Sequence, residues 1–479
     1  MVHLISLRAS STSPRHLFAP LLISLIVSCS SGGEDAPEPP GTEDPMEPAG
    51  EGTEQTPQGG EGAPDGTGTE ETPPGGESEV LPNLPLAPVE PAPPVTPAST
   101  DPLPCSEPFA ALEAFDCGEQ DIVFENNGPA ANRVSYVILG DGYTEDILDT
   151  VYREHIQNML TGTPESMFTQ MGEPYLRYRK YINVCALKVA SNEACVDDQD
   201  TGLQCDTFFN TNGDDNSRLA RIGGADRTRV QTVMAEQLPE GVDVDWVGLT
   251  VNAGPRNWWN SGGQFMLWNG SYEPRSRSAS VALHEGGHAF HGLADEYGGT
   301  DCGRNATNPN VTDDPTGNKW QIWLGFDHSA ENPDGTGARG TGVQGAFEGA
   351  LYCNAGYYRP SQESQMNQLP QPFNMPSIDK IVRDIYRIVN PVDDNTDTAS
   401  PLANPREIRV RLVDPAVVKV DWSVDGAAIT NANSQCFDAT ALGAGEHTVT
   451  AHVYDDTPWV RSDRSSLERT LTWTVNVTP

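Results

Sequence analysis

Positively charged side chains are scarce in this chain: Lys and Arg total 29 against 68 Asp and Glu, a net charge of −39. That balance excludes nucleic acid as a partner, because a polyphosphate backbone would be repelled. Between residues 30 and 104 Lys and Arg are absent, and sixteen acids are scattered among Pro, Gly and Thr. Apolar residues are few there too, so the stretch cannot bury enough surface to fold. It reads as a tether, spanning roughly 50 Å as a flexible coil. Arg8 and Arg15 contribute +2 and the tether −16, which leaves −25 on residues 105–479. No apolar run is long enough to cross a bilayer; the longest, Leu17 to Ser28, has signal-peptide length. C-x-x-C spacing is missing, which removes the common structural zinc finger. No internal repeat stands out.

The apolar run ends in Ile26-Val27-Ser28-Cys29, a bacterial lipobox pattern. The expectation is a signal peptide over 1–28, cleavage before Cys29, lipidation of its thiol, and a tether over 29–104. An ordinary secretion signal with an incidental cysteine is the alternative. Ser30 after the cysteine looks like outer-membrane sorting, so the protein is expected to be exported to the outer membrane or cell surface. It would touch the membrane through Cys29 only. Eight cysteines remain, an even number that suggests disulfides in an exported protein. Close spacing favours Cys105–Cys117 and Cys195–Cys205. Cys302–Cys353 would staple the chain after the central motif to a later segment. Asp197-Asp198 and Asp214-Asp215 are candidate calcium (Ca2+) carboxylates, with solvated loop acids as the alternative.

The densest chemistry lies in fourteen residues, His284-Glu285-Gly286-Gly287-His288-Ala289-Phe290-His291-Gly292-Leu293-Ala294-Asp295-Glu296-Tyr297. His284 and His288, four apart, share one face of a helix and can aim two imidazoles at one Zn2+. Glu285 between them is angled to take the proton of a water acidified by that metal. A catalytic zinc usually has three protein ligands, so one more is needed. In a continuous helix Asp295 would lie about 10 Å further along the axis than His288. A break at Gly292, which tolerates the left-handed conformation, lets a turn swing Asp295 back. Asp295 is therefore the first choice, Glu296 the second, and Glu348 or Glu363 the third. Each of Gly286 and Gly287 costs a helix interior up to about 1 kcal/mol, so the pair implies close packing or a cleft. His291 reads as a solvated or supporting histidine rather than a ligand.

Around this motif the pattern is α+β. Val134–Leu139, Tyr181–Ala190 and Asp245–Asn252 read as strands, and 262–268 as an edge strand. A helix capped by Thr144 follows the first strand, and the metal-binding helix covers about 278–291. Residues 105–392 make one mixed domain and 391–404 a polar linker. From 405 to 479 period-2 alternation predicts a small all-β sandwich; Val418, Val420, Trp422 and Val424 alternate, as do Val449, Ala451 and Val453.

Gly140-Asp141-Gly142-Tyr143-Thr144, Ser191-Asn192-Glu193, the His284–Tyr297 stretch, Gly356-Tyr357-Tyr358-Arg359-Pro360 and Ser364-Gln365-Met366-Asn367 together resemble the IgA peptidase family of bacterial zinc endopeptidases. Trp459-Val460-Arg461 is similar to the immunoglobulin-like domain that follows such catalytic domains. The resemblance implies a zincin-like fold with a C-terminal Ig-like sandwich. It implies His284 and His288 as ligands and Glu285 as the base, and makes Met366 an apolar floor beneath the metal. Tyr357 or Tyr358 would hydrogen-bond the developing oxyanion, and Arg359 would orient a carboxylate. Protein or peptide is the implied substrate. Two rival readings stay open: a catalytically retired adhesin, which would not need Glu285, and a zinc hydrolase of a non-peptide amide.

Overall fold

The computed structural model describes residues 105–118, 121–214, 221–223, 225–262, 265–328, 340–429 and 434–479. The segments expected to be signal peptide and tether, with Cys29, and Asp215 lie outside the described residues. The framework is a nine-stranded mixed sheet. Its strands are β1 (Ile122–Glu125), β2 (Val134–Asp141), β3 (Ile182–Ala186), β4 (Asp197–Asp198), β5 (Asn212–Asp214), β6 (Arg221–Gly223), β7 (Trp246–Val251), β8 (Trp259–Gly262) and β9 (Phe265–Asn269). Their order is β1-β3-β2-β7-β9-β8-β6-β5-β4, with β3, β2, β7 and β9 parallel. β2 is buried over its whole length. Its alternate side chains serve two cores, Tyr136 and Ile138 on one face and Val137 and Leu139 on the other. The segment expected at an edge is interior: β9 pairs with β7 on one side and β8 on the other.

Thr144 begins a helical segment, but its hydroxyl donates to Asp146 instead of capping. Only α1 (Arg153–Gln157) within 145–162 is regular α-helix. α2 (Arg227–Gln237), capped by Asp226, packs on the second face through Val230 and Val233. α3 (Arg275–His291) covers the first face and is buried at every residue from Ser278 to Gly287. α4 (Met375–Ile388) starts at the Asn374 cap and buries Ile378, Ile381, Val382 and Ile385, the one-sided stripe of an amphipathic helix.

The motifs Gly140–Thr144 and Ser191–Glu193 bind each other. The buried Asp141 carboxylate accepts the Ser191, Thr207 and Thr211 hydroxyls and the Phe209 and Thr211 amides, at 2.6–3.1 Å. The two motifs therefore organise the loops at the carboxyl end of β2.

Two hairpin-like pairs follow α3: β10 (Asp327–His328) with β11 (Gly342–Val343), and β12 (Phe347–Ala350) with β13 (Cys353–Arg359). The last segment forms two small sheets. One is β14 (Val392–Asn395), β16 (Glu407–Leu412) and β19 (Cys436–Asp438). The other is β15 (Leu402–Ala403), β21 (Glu468–Val477), β20 (Gly445–Tyr454), β17 (Lys419–Val424) and β18 (Ala427–Ala428). The alternating residues Val420, Trp422, Val449, Ala451 and Val453 all face inward, and Trp422 stacks on Phe437 of the other sheet.

The two parts of the described chain interlock. Asp455, fully buried, accepts Tyr178 Oη at 2.7 Å and Tyr386 Oη at 2.9 Å, and pairs with Arg177 at 3.4 Å. The Arg461 guanidinium lies 4.2 Å from the Trp323 ring, while Asp379 of α4 accepts the Arg461 amide. Four disulfides are present: Cys105–Cys436, Cys117–Cys185, Cys195–Cys205 and Cys302–Cys353. The expected Cys105–Cys117 bridge is replaced because Cys105 lies against β19 and Cys117 against β3. Short spacing does not determine connectivity once strands from distant sequence are adjacent.

Asp455→Ala takes the acceptor from the buried Tyr178 hydroxyl and removes one partner each from Tyr386 and Arg177. It is expected to cost about 3–5 kcal/mol in denaturant unfolding, with the whole of 105–479 melting in one transition. Separate transitions for the two segments would contradict the interlock.

Candidate metal centre

α3 is built for close approach. A β-carbon at Gly286 would lie 2.5 Å from Trp246 Cζ2, and one at Gly287 would lie 2.7 Å from Met366 Sδ. The glycine pair therefore lets Trp246 and Met366 pack directly on the helix backbone beside the two histidines. Met366 is fully buried there, under α3. The helix ends at Gly292, whose φ of 64° is left-handed, and the Leu293 amide turns back to the Gly287 carbonyl.

His284 Nδ1 lies 2.8 Å from the Gln365 carbonyl and His288 Nδ1 2.7 Å from the Leu293 carbonyl. A carbonyl only accepts, so both Nδ1 atoms carry a proton, and in the neutral imidazoles, the form that binds a metal, both Nε2 atoms present a lone pair. The two Nε2 atoms are 3.1 Å apart. Asp295 Oδ1 stands 3.0 Å from His284 Nε2 and 3.2 Å from His288 Nε2. Three electron-rich atoms thus form a nearly equilateral triangle. Ligands of a tetrahedral zinc, about 2.0–2.1 Å from the ion, stand about 3.3–3.4 Å apart. The donors fit such an ion after slight expansion. The electrostatics carry the same demand for positive charge. Burial alone would lower the His288 pKa, but Asp295 outweighs it and raises it to about 9. Burial would raise the Asp295 carboxyl, yet the two histidines hold it well below the usual carboxylate range.

Asp295 is held from behind. The Tyr352 hydroxyl donates to Oδ2, which leaves Oδ1 for the triangle. Tyr352 occupies a two-residue turn between β12 and β13 in which Leu351 (φ 52°) and Tyr352 (φ 62°) are both left-handed. Such turns usually carry Asn-Gly, and each bulky residue there costs about 1–2 kcal/mol. The strain is overcome by pairing with the returning arm: the Leu351 amide donates to the Asp295 carbonyl and the Tyr352 amide to the Tyr297 carbonyl. The Cys302–Cys353 bridge and the Arg304 guanidinium, 4.2 Å from the Tyr352 ring, close the support.

Glu296, the second choice for the third ligand, faces the other way. It accepts Ser364 Oγ at 2.5 Å, Asn310 Nδ2 at 2.8 Å and Asn374 Nδ2 at 2.9 Å. Burial raises its carboxyl to about 6 against these donors and the nearby Arg359. Glu348 is occupied by the Gly356 amide and Glu363 by Gln371. His291 is neither solvated nor beside the triangle; it is buried between Asp384 and Tyr175, at 3.0 and 2.8 Å.

A cavity of about 250 Å³ opens over the triangle, walled by Trp259, Asn260 and Ser261 of β8 on one side and Tyr297 and Tyr352 on the other. Glu285 lines it, only 3% exposed. Burial pushes its carboxyl up, opposed by His288, His284 and a hydrogen bond from Ser261. Tyr357 and Tyr358 do not line this cavity. The Tyr357 hydroxyl donates to the Arg304 carbonyl, and Tyr358 pairs by backbone with Thr312. The phenols the fold brings here are Tyr297 and Tyr352. Tyr297 stood in the fourteen-residue stretch without a role; Tyr352 was signalled only by its neighbour Cys353. Arg359 donates to the carbonyls of Glu348, Gly349 and Ser361. Of the calcium candidates, Asp197 accepts the Cys205 amide and Asp198 pairs with Arg256 at 2.9 Å. Two further clusters of potential ligands among the described residues have their cysteines tied up in disulfides.

Two imidazoles, a carboxylate and a neighbouring buried glutamate in an open cavity form a donor set that could hold a metal ion. Residues 122–336 match the family model described as IgA Peptidase M64. The match takes in the sheet, α3 and Asp295 and ends before Tyr352 and Met366. No curated protein matches the chain.

Asp295→Ala is expected to lower zinc affinity by at least about a hundredfold, and Tyr352→Phe by about tenfold, as losses of a ligand and of its outer support do. Competition with a metallochromic chelator measures both. Unchanged affinity in Asp295→Ala would remove that residue from the ligand set.

Proposed function

We propose that this chain is an exported, lipid-anchored zinc metalloendopeptidase. The observation that carries the reading is the triangle of His284 Nε2, His288 Nε2 and Asp295 Oδ1 with Glu285 beside it in one cavity. His284, His288 and Asp295 would hold the ion. When bound, zinc supplies Lewis acidity that polarises the scissile carbonyl and acidifies water. Glu285 takes the proton of the attacking water and delivers it to the leaving amine. Ser261 steadies the glutamate from β8, and Tyr352 keeps Asp295 from rotating. The burial of Glu285 removes competing water from its carboxylate. A second cavity adjoins the first along α3, so a chain can continue past the cleaved bond, which supports an endopeptidase.

The mixed sheet followed by the metal helix supports a zincin-type domain over 105–392. The two small sheets support an Ig-like sandwich over 405–479. Export and anchoring rest on the basic start, the short apolar core and the lipobox at Cys29, with a signal peptide over 1–28 and a tether over 29–104. Four disulfides agree with an oxidising compartment. Among the described residues no helix is long and apolar enough to cross a membrane.

Glu285→Gln is expected to retain about one zinc per chain and to lose at least about a hundredfold in kcat. Zinc-loaded wild-type protein that cuts neither denatured proteins nor a broad peptide library would sink the peptidase reading. In cells, Cys29→Ala should move the protein from the membrane to the soluble fraction; membrane retention would rule out the anchor.

A further inference from the structure

We infer that the cavity adjoining the metal centre is a substrate subsite for a carboxylate, read by Arg277. This cavity, of about 280 Å³, shares Trp259, His284, Glu285 and Tyr297 with the one over the triangle. Its remaining wall is Arg277 and Val281 of α3 and the loop from Asn367 to Leu369. Apart from Glu285, no acid among the described residues lines it. Arg277 has the same helical face as His284, seven residues or two turns away.

The guanidinium donates Nη1–H to the Leu369 carbonyl at 2.9 Å. That bond uses one of its five N–H groups and leaves the planar fork available for a bidentate acceptor. Among the described residues Arg277 has no ion pair, whereas its neighbour Arg275 pairs with Glu273 and Arg256 with Asp198. In a chain of net charge −39, a half-buried arginine without a carboxylate, facing a cavity next to the catalytic glutamate, has its natural counter-ion on the ligand. Trp259, Val281 and Leu369 would cover the methylene stem of the incoming residue, and the charge would be met at the far end.

The distance sets the position. Seven residues of helix span about 10 Å, equal to two or three residues of extended peptide at about 3.3 Å each. The carboxylate therefore belongs two or three residues from the scissile bond. An Asp or Glu side chain and a free C-terminus supply the same group.

This inference rests on the peptidase reading, and the test separates the two. Paired peptides carrying Glu or Gln at each of the three positions on either side of the cleaved bond are compared for kcat/KM. At one position the Glu peptide is expected to be favoured by about tenfold or more. The ratio should fall to about 1 in Arg277→Ala, persist in Arg277→Lys, and invert toward a Lys peptide in Arg277→Glu. Free-acid and amidated peptides of two lengths tell a terminal carboxylate from a side chain. The same pairs are titrated calorimetrically against Glu285→Gln, with and without Arg277→Ala. A binding preference there without turnover by the wild type would overturn the peptidase reading and leave the subsite standing. Equal kcat/KM and equal binding for Glu and Gln at every position, and for acid and amide, would overturn the subsite.

Discussion

Two imidazole lone pairs and a carboxylate oxygen held 3.0–3.2 Å apart repel one another unless positive charge sits among them. The surrounding structure is arranged to enforce that proximity. The Gln365 and Leu293 carbonyls fix both imidazole tautomers so that the lone pairs point inward. The left-handed Gly292 reverses the chain, so that the arm carrying Asp295 also supplies the carbonyl that orients His288. Buried from Ser278 to Gly287, α3 cannot rotate to relieve the repulsion, and Trp246 and Met366 lock it where the two glycines leave room.

Adjacent acids on that arm do opposite jobs. Asp295 turns its oxygen to the histidines. Glu296 turns the other way into a pocket of Asn310, Ser364 and Asn374, tying the arm to the Met366 loop and to the cap of α4. The Glu296 amide also donates to the Met366 carbonyl, at 2.7 Å. The strained Leu351–Tyr352 turn presents a phenol to the far oxygen of Asp295. Strain of this kind persists where surrounding contacts over-determine the backbone, and here they are the pairing with residues 295–301 and a disulfide.

What could be read from the chain beforehand was local. The four-residue spacing of His284 and His288, the break at Gly292 and the period-2 strands beyond 405 follow from helix, turn and pleat geometry within a few residues. The mixed α+β character was legible for the same reason. Long-range proximity was not. Cys105 meets Cys436 across 331 residues, so nearest-neighbour pairing failed for Cys105 and Cys117, while it held for Cys195 and Cys205. Tyr352 acts on Asp295 only because the β12–β13 turn docks along the arm. Tyr357 and Tyr358, suggested by the family resemblance, lie on the strand leaving that turn and do not line the cavity. Asp141, within another motif, proved to organise loops. β9 looked like an edge because its partner β8 lacks a strong apolar pattern.

The C-terminal sheets are joined to the rest through buried polar groups, chiefly Asp455 and Asp379, rather than through a flexible hinge. They brace α4, which in turn clamps the end of α3 through Asp384 and His291. The central claim, a two-histidine, one-aspartate metal centre, is tested most directly by X-ray absorption at the zinc edge of the purified protein. The account predicts one zinc with two imidazole nitrogens and carboxylate oxygen at about 2.0–2.1 Å. A sulfur shell at about 2.3 Å, or fewer than two imidazoles, would contradict it.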